Sequence, residues 1–162
     1  MEIRTVGFSY TVFSNIGELP LEDRLLLENA RGVTALAYAP YSGFHVGAAG
    51  ILSNDQLVTA TNQENASYPV GICAERVLLS AISAVYPGDT VKKIAISYRP
   101  SSGSADKPVF PCGICRQSLL EQEIKQGFPI KLVLAGAAGD ILLLEKASDL
   151  IPFGFTGEEL KK

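Results

Sequence analysis

Three cysteines make up the whole cysteine complement of this chain, and they lie in two separate segments. The first stands in the run CAER (73–76), and the other two stand well downstream in the run PCGIC (111–115). An odd number argues against a closed framework of disulfides and for thiols that are kept reduced. If the cysteines act together, the fold must bring these two distant segments to one point.

The residue types and their spacing are typical of a catalytic zinc site. Zinc prefers thiolate and imidazole ligands in a tetrahedral arrangement, and a catalytic site leaves one position open for water. Cys112 and Cys115 stand at i and i+3, so both sulfur atoms can face one point at a helix start. Cys73 and Glu75 would diverge in a regular helix, so we expect Cys73 at the entry of its helix. The sequence therefore predicts one zinc ion held by Cys73, Cys112 and Cys115, with Glu75 as general acid and base.

The charge of such a site also predicts a cationic neighbour. Three thiolates on a dication leave a net negative charge, which would make a nearby water molecule harder to deprotonate. Helix N-termini offset part of that charge. Arg76 and Arg116 are the available cations, and we expect Arg76 to donate a hydrogen bond to a thiolate sulfur.

Two other interpretations of the cysteines stay open at this point. Cys112 and Cys115 could form a redox pair, although that would leave Cys73, Glu75 and Arg76 without a role. A structural zinc site with three cysteines and one histidine would need His45, the only histidine of the chain.

Composition limits the classes of partner. The chain is 47% hydrophobic and 19% charged, with a net charge of −3, as in globular proteins. Its basic residues are scattered, so a nucleic-acid partner is not expected. We find no stretch suited to a bilayer and no signal peptide, so we expect no membrane partner and a cytoplasmic protein.

Hydrophobic periodicity predicts a single α/β domain. Helices are predicted at 21–37, 73–85 and 112–126, and strands at 46–52, 57–61, 91–98, 130–135 and 141–144. Strands joined by amphipathic helices imply a three-layer α/β/α fold with a mixed five-stranded sheet. Residues 1–19 alternate apolar and polar side chains, which indicates a further strand or an extended arm.

The motifs occur in an order that resembles one known family. They are YAPYSGFHVGAA (38–49), NQENASYP (62–69), GICAER (71–76), PCGICRQ (111–117) and LIPFGF (150–155). From about residue 37 to residue 155, the chain is similar to the homotetrameric cytidine deaminases that use three cysteines. By this resemblance the family domain spans 1–162, with residues 1–19 as an extension outside the family core.

The resemblance implies an activity and a set of site residues. It implies zinc-dependent hydrolysis of cytidine and 2′-deoxycytidine to uridine and 2′-deoxyuridine, with release of ammonia, as in pyrimidine salvage. It also implies one zinc ion per subunit, a nucleoside as the small-molecule partner, and a homotetramer with sites near the subunit interfaces. Asn62 and Glu64 would bind the ribose, and Phe44 would pack against the base. The other implied residues are Ala66, Tyr68 and Phe155 at or across the subunit contacts, and Arg76, Arg116 and Gln117 around the ligands.

Two alternative functions remain compatible with the same zinc motifs. A deaminase of a modified cytosine nucleoside such as blasticidin S shares the cysteine and glutamate pattern, although Asn62 and Glu64 favour a true ribose. A non-catalytic subunit stabilised by zinc would keep the cysteines but would have no need for Glu75.

Overall fold

Within residues 1–161, which the computed structural model describes, three α-helices flank one sheet. The helices are α1 (Leu21–Val33), α2 (Ala74–Val85) and α3 (Gly113–Gln126). The strands are β1 (Thr11–Phe13), β2 (Phe44–Leu52), β3 (Leu57–Thr61), β4 (Val91–Pro100), β5 (Lys131–Ala135) and β6 (Ile141–Leu144). No helix in this part of the chain is long and apolar enough to span a membrane.

The α/β class is confirmed, but the sheet has six strands, so the prediction of five was wrong. The order across the sheet is β1-β6-β5-β4-β2-β3. Strands β4 and β5 run parallel, and the other neighbours run antiparallel. The additional strand is β1, whose three residues pair with β6. A strand this short depends on its tertiary partner and leaves little periodic signal in the sequence.

Side chains alternate across the sheet and build a core on each face. In β4, Ile94 and Ile96 are buried on the side of α2 and α3, whereas Ala95 is buried on the side of α1. Helix α1 approaches the sheet closely, since a Cβ atom on Gly47 would lie 2.1 Å from the Ala30 carbonyl oxygen. Helices therefore cover both faces, as the three-layer prediction required.

Part of the N-terminal segment belongs to the packed fold. Leu19 is only 3% exposed and lies in the core beneath α1, where Phe13 and Ile16 pack against it. Residues 1–10 are exposed along their whole length. The alternating segment thus forms a short strand at Thr11–Phe13, and the exposed residues before it form neither helix nor strand.

The order of elements brings the N-terminal ends of α2 and α3 together. Helix α3 connects the parallel strands β4 and β5, so it begins beyond the carboxyl end of β4. Helix α2 packs on the same face of the sheet and contacts α3. In open α/β sheets, ligands bind beyond the carboxyl ends of the parallel strands. The two cysteine segments meet at this edge.

Candidate metal centre

The three cysteines lie at the N-terminal ends of two helices. Cys73 directly precedes α2, with the extended backbone angles φ −74° and ψ 153°, and Cys112 directly precedes α3. Cys115 follows one turn later in α3. The extended conformation of Cys73 lets its side chain turn toward the site that Glu75 also faces, as predicted for a residue at a helix entry.

The sulfur atoms of these cysteines are spaced as zinc ligands would be. The Sγ atom of Cys112 lies 3.9 Å from that of Cys73 and 3.4 Å from that of Cys115, and all three lie within 4.8 Å of one another. Tetrahedral ligands at the usual Zn–S length of about 2.3 Å are about 3.8 Å apart. The donor set and its spacing therefore fit one zinc ion.

The electrostatics of the three thiols also favour a bound cation. Contact with Cys115 lowers the pKa of the Cys73 thiol to about 6. The same contact with Cys73, followed by burial, raises the pKa of Cys115. The Cys115 thiol thus stabilises the Cys73 thiolate, and a metal cation bound between the two sulfur atoms would interact favourably with that negative charge.

Glu75 lies in the first turn of α2 and is the buried carboxyl group of the site. It is 5% exposed, and burial raises the pKa of its side chain. Glu75 lines a cavity of about 420 Å³ together with Cys73 and Cys112. A carboxyl group shielded from bulk water beside the cysteines is placed to exchange protons with a molecule in this cavity.

His45 lies apart from the cysteines. Its Nδ1 atom is 3.1 Å from the carbonyl oxygen of Gly43. The group of potential metal ligands found in residues 1–161 consists of the three cysteines and contains no histidine. The geometry therefore does not support the structural site with three cysteines and one histidine.

The two arginines beside the cysteines differ in what they contact. In the part of the chain that the structure describes, the predicted hydrogen bond from Arg76 to sulfur is absent, and Arg76 instead lines a groove between α2 and α3. Its charge adds to the lowering of the Cys73 pKa that contact with Cys115 mainly causes. Arg116 donates to backbone carbonyl groups, and Gln117 donates to the carbonyl oxygen of Phe155 over 2.7 Å.

Asn62 and Glu64 both line the cavity, and both retain hydrogen-bonding capacity. Asn62 accepts from the Val46 amide (2.7 Å) and donates to the Phe44 carbonyl oxygen (2.9 Å). An amide side chain offers two donors and two acceptor sites, so one donor and one acceptor remain.

The Glu64 carboxylate holds the turn that precedes β2. It accepts from the amides of Tyr41 (2.8 Å) and Ser42 (3.3 Å) and from the Ser42 hydroxyl (2.5 Å). The Ser42 hydroxyl, followed by the Tyr41 amide, lowers the pKa of Glu64. A carboxylate has about four acceptor sites, so one remains for a ligand in the cavity.

The remaining predicted residues divide into two groups. Phe44 and Tyr68 line the cavity, and the ring of Phe44 stacks on that of Tyr98 with centroids 4.8 Å apart. Ala66 and Phe155 are exposed and lie outside the cavity lining of this chain.

Several lining residues were missed from the sequence. Ser42, which holds Glu64, and Phe110, which directly precedes the PCGIC motif, both line the cavity. Adjacency to a cysteine motif is the signal by which Phe110 could have been found. Ser42 lies in the quoted motif YAPYSGFHVGAA, but the sequence does not show that its hydroxyl contacts Glu64, 22 residues later.

Comparison with known proteins relates this site to one family. The family model described as "Cytidine and deoxycytidylate deaminase zinc-binding region" matches residues 21–128, which include all three cysteines and Glu75. The cytidine deaminase of Halalkalibacterium halodurans is 32% identical over 140 residues, 86% of this chain and 98% of that protein. The cytidine deaminase of Mycobacterium tuberculosis is 39% identical over 97 residues, 60% of this chain and 68% of that protein.

Solved structures give the same relation. The crystal structure of cytidine deaminase from Burkholderia pseudomallei superimposes with a TM-score of 0.69 at 35% identity, covering 85% of this chain and 100% of that chain. That of cytidine deaminase from Mycobacterium tuberculosis gives a TM-score of 0.65 at 31% identity, covering 85% and 99% respectively. The similarity extends over nearly the full length of both solved chains.

Proposed function

Because the chain belongs to the cytidine and deoxycytidylate deaminase family, we propose that it hydrolyses cytidine and 2′-deoxycytidine to uridine and 2′-deoxyuridine. Water supplies the oxygen that replaces the 4-amino group, which leaves as ammonia. The observation that carries this proposal is the buried Glu75 carboxyl group, which shares a cavity with the sulfur-bearing side chains of Cys73 and Cys112. A proton carrier beside a metal-binding group is what hydrolysis of a ring amine requires.

The cofactor is zinc, and Cys73, Cys112 and Cys115 are the residues that would hold it. When bound, zinc supplies a Lewis acid that makes water a competent nucleophile near neutral pH. Cys73 and Cys112 directly precede helices α2 and α3, whose N-terminal ends carry a partial positive charge. The protein thus contributes three anionic ligands on two helices.

Glu75 holds and moves the protons of the reaction. Its carboxylate takes a proton from the attacking water and gives it to N3 of the pyrimidine ring, which makes C4 electrophilic. It then transfers the proton of the new C4 hydroxyl group to the 4-amino nitrogen. Departure of ammonia leaves the C4 carbonyl group of the product, so one carboxyl group serves both transfers.

The cavity supports a nucleoside as the substrate. Its volume of about 420 Å³ lies within the range of small-molecule sites. Asn62 offers one free donor and one free acceptor, and Glu64 offers one free acceptor, which suits the hydroxyl groups of a sugar. Phe44 presents an aromatic ring at the same cavity for packing against the base.

An absorbance assay tests the proposed reaction. With purified, zinc-loaded protein, we expect the cytidine absorption band to disappear for cytidine and 2′-deoxycytidine, with stoichiometric ammonia. Free cytosine lacks the sugar that Asn62 and Glu64 are proposed to bind, so its kcat/KM should be at least about 10²-fold lower. If both nucleosides persist although zinc is bound, either the substrate is a modified cytosine nucleoside such as blasticidin S, or the protein is a non-catalytic zinc protein. Equal rates for cytosine would contradict the assignment of Asn62 and Glu64.

We further propose a homotetramer of single-domain subunits. Tyr68, which lines the cavity, is 74% exposed, and Phe153 and Phe155 are 94% and 57% exposed. Exposed aromatic groups of this kind support a subunit contact. The start of the family match at residue 21 supports our proposal that residues 1–19 are an extension outside the family core. We expect light scattering to give four times the chain mass of 17.3 kDa; a mass of one chain at micromolar concentration would contradict the tetramer. A cytoplasmic location stays a prediction.

A further inference from the structure

The guanidinium group of Arg116 joins two segments that are distant in the sequence. Its Nε atom donates to the carbonyl oxygen of Pro111 (2.9 Å), and its Nη1 atom donates to that of Leu150 (3.1 Å). Arg116 is half-buried and directly follows Cys115. The planar fork of an arginine can hold two acceptors in a fixed relation, which a lysine ammonium group cannot do as rigidly.

One of the two carbonyl groups belongs to the peptide that leads into a metal ligand. The Pro111 carbonyl group is part of the peptide bond to Cys112, so its orientation affects where the Cys112 side chain begins. The backbone amide of Arg116 donates to the Cys112 carbonyl oxygen over 2.9 Å. Arg116 thus contacts the peptide groups on both sides of Cys112, the exposed member of the cysteine set.

The other carbonyl group, that of Leu150, belongs to a segment that several hydrogen bonds hold in place. Leu150 ends a short 3₁₀ helix, Ala147–Leu150. The buried Glu123 carboxylate accepts hydrogen bonds from the amides of Ala147 (2.9 Å) and Ser148 (3.1 Å) at the start of that helix. It also accepts from the Ile130 amide (2.6 Å) before β5. The Leu150 end of the Arg116 contact is therefore fixed to the body of the protein.

We infer that Arg116 is a positioning residue for zinc, which holds Cys112 in its ligand position by tying the Pro111 carbonyl group to Leu150. This inference rests on the proposed zinc centre. This role differs from the one expected of Arg76, a hydrogen bond to sulfur, because both hydrogen bonds of the Arg116 guanidinium go to backbone oxygen. The side chain stabilises the geometry of the ligand rather than neutralising its charge.

Zinc release from the loaded protein tests this role without measuring activity. We expect Arg116→Lys to transfer zinc to a chromophoric chelator about 10–100-fold faster than wild type, as for other groups that orient metal ligands. Zinc release from Arg116→Ala should be at least as fast as that from Arg116→Lys. The matched control is Arg31→Lys, since Arg31 donates from Nε to the Gly136 carbonyl oxygen (3.0 Å) away from the cysteines. Its zinc release should match wild type.

The readouts separate this inference from a general effect on folding and from the proposed reaction. Urea unfolding of the zinc-free proteins should show similar losses of stability for Arg116→Lys and Arg31→Lys. Zinc release from Arg116→Lys at the wild-type rate, or equal acceleration in Arg31→Lys, would overturn the inference, as would a wild-type protein that retains no zinc. A wild type that retains zinc but deaminates no nucleoside would overturn the reaction alone.

Discussion

The Glu75→Gln variant should retain zinc and lose about 10²–10⁴-fold in the turnover number for cytidine. Glutamine has nearly the shape of glutamate, so the buried position in α2 can accept it without repacking. An amide cannot take up and release the proton that the two transfers require. The Glu75 carboxylate makes its strongest contacts in the transition state, so we expect its replacement to change KM much less than kcat.

Steady-state absorbance kinetics and metal analysis of the same samples measure this effect. The control is Glu145→Gln, which makes the same chemical change at an exposed carboxylate that pairs with Lys131. Its kinetics should equal those of the wild type. A Glu75→Gln protein with full zinc content and wild-type turnover would show that Glu75 carries no proton in the reaction.

The second large effect is expected for Cys115→Ser. Cys115 is fully buried, and its sulfur lies 3.4 Å from that of Cys112. A serine hydroxyl stays protonated at neutral pH and is a poor ligand for zinc, which binds thiolate. Loss of a residue that only orients a metal ligand lowers metal affinity by up to roughly 100-fold. We expect loss of the ligand itself to lower zinc affinity by more than this and turnover to become undetectable.

Thermal unfolding with added zinc reports the same change without substrate. For the wild type, free zinc at 100 times Kd adds about 2.7 kcal/mol to the free energy of unfolding, which raises the midpoint by about 5–10 °C. This rise should vanish in Cys115→Ser and persist in Ser118→Ala, a change one turn further along α3. A zinc-dependent rise of wild-type size in Cys115→Ser would exclude this residue from the ligand set.

Much of the site was predictable because its geometry is local. The three-residue spacing of Cys112 and Cys115 places both at the start of α3. The conflict between Cys73 and Glu75 in a regular helix predicted that Cys73 precedes α2, and it does. The helices and five of the six strands likewise follow from periodicity within each segment.

The contacts that escaped prediction join residues far apart in the sequence. Glu64 holds the turn at Tyr41 and Ser42, and Arg116 reaches the carbonyl group of Leu150. Such partners are set by how elements pack, which one sequence does not display. The same reason applies to β1, whose three residues become a strand only because β6 offers an edge to pair with.

That small strand changes which edge the sheet presents to its surroundings. β6 carries four aliphatic residues in succession, Ile141–Leu144, and would be the last strand of the sheet if β1 were absent. A bare aliphatic edge can pair with the same edge of another chain, which is a common start of aggregation. With β1 in place, β6 is paired on both sides and the sheet ends instead on a strand of only three residues. The N-terminal extension therefore covers an aliphatic edge of the sheet that would otherwise be open to pairing with another chain.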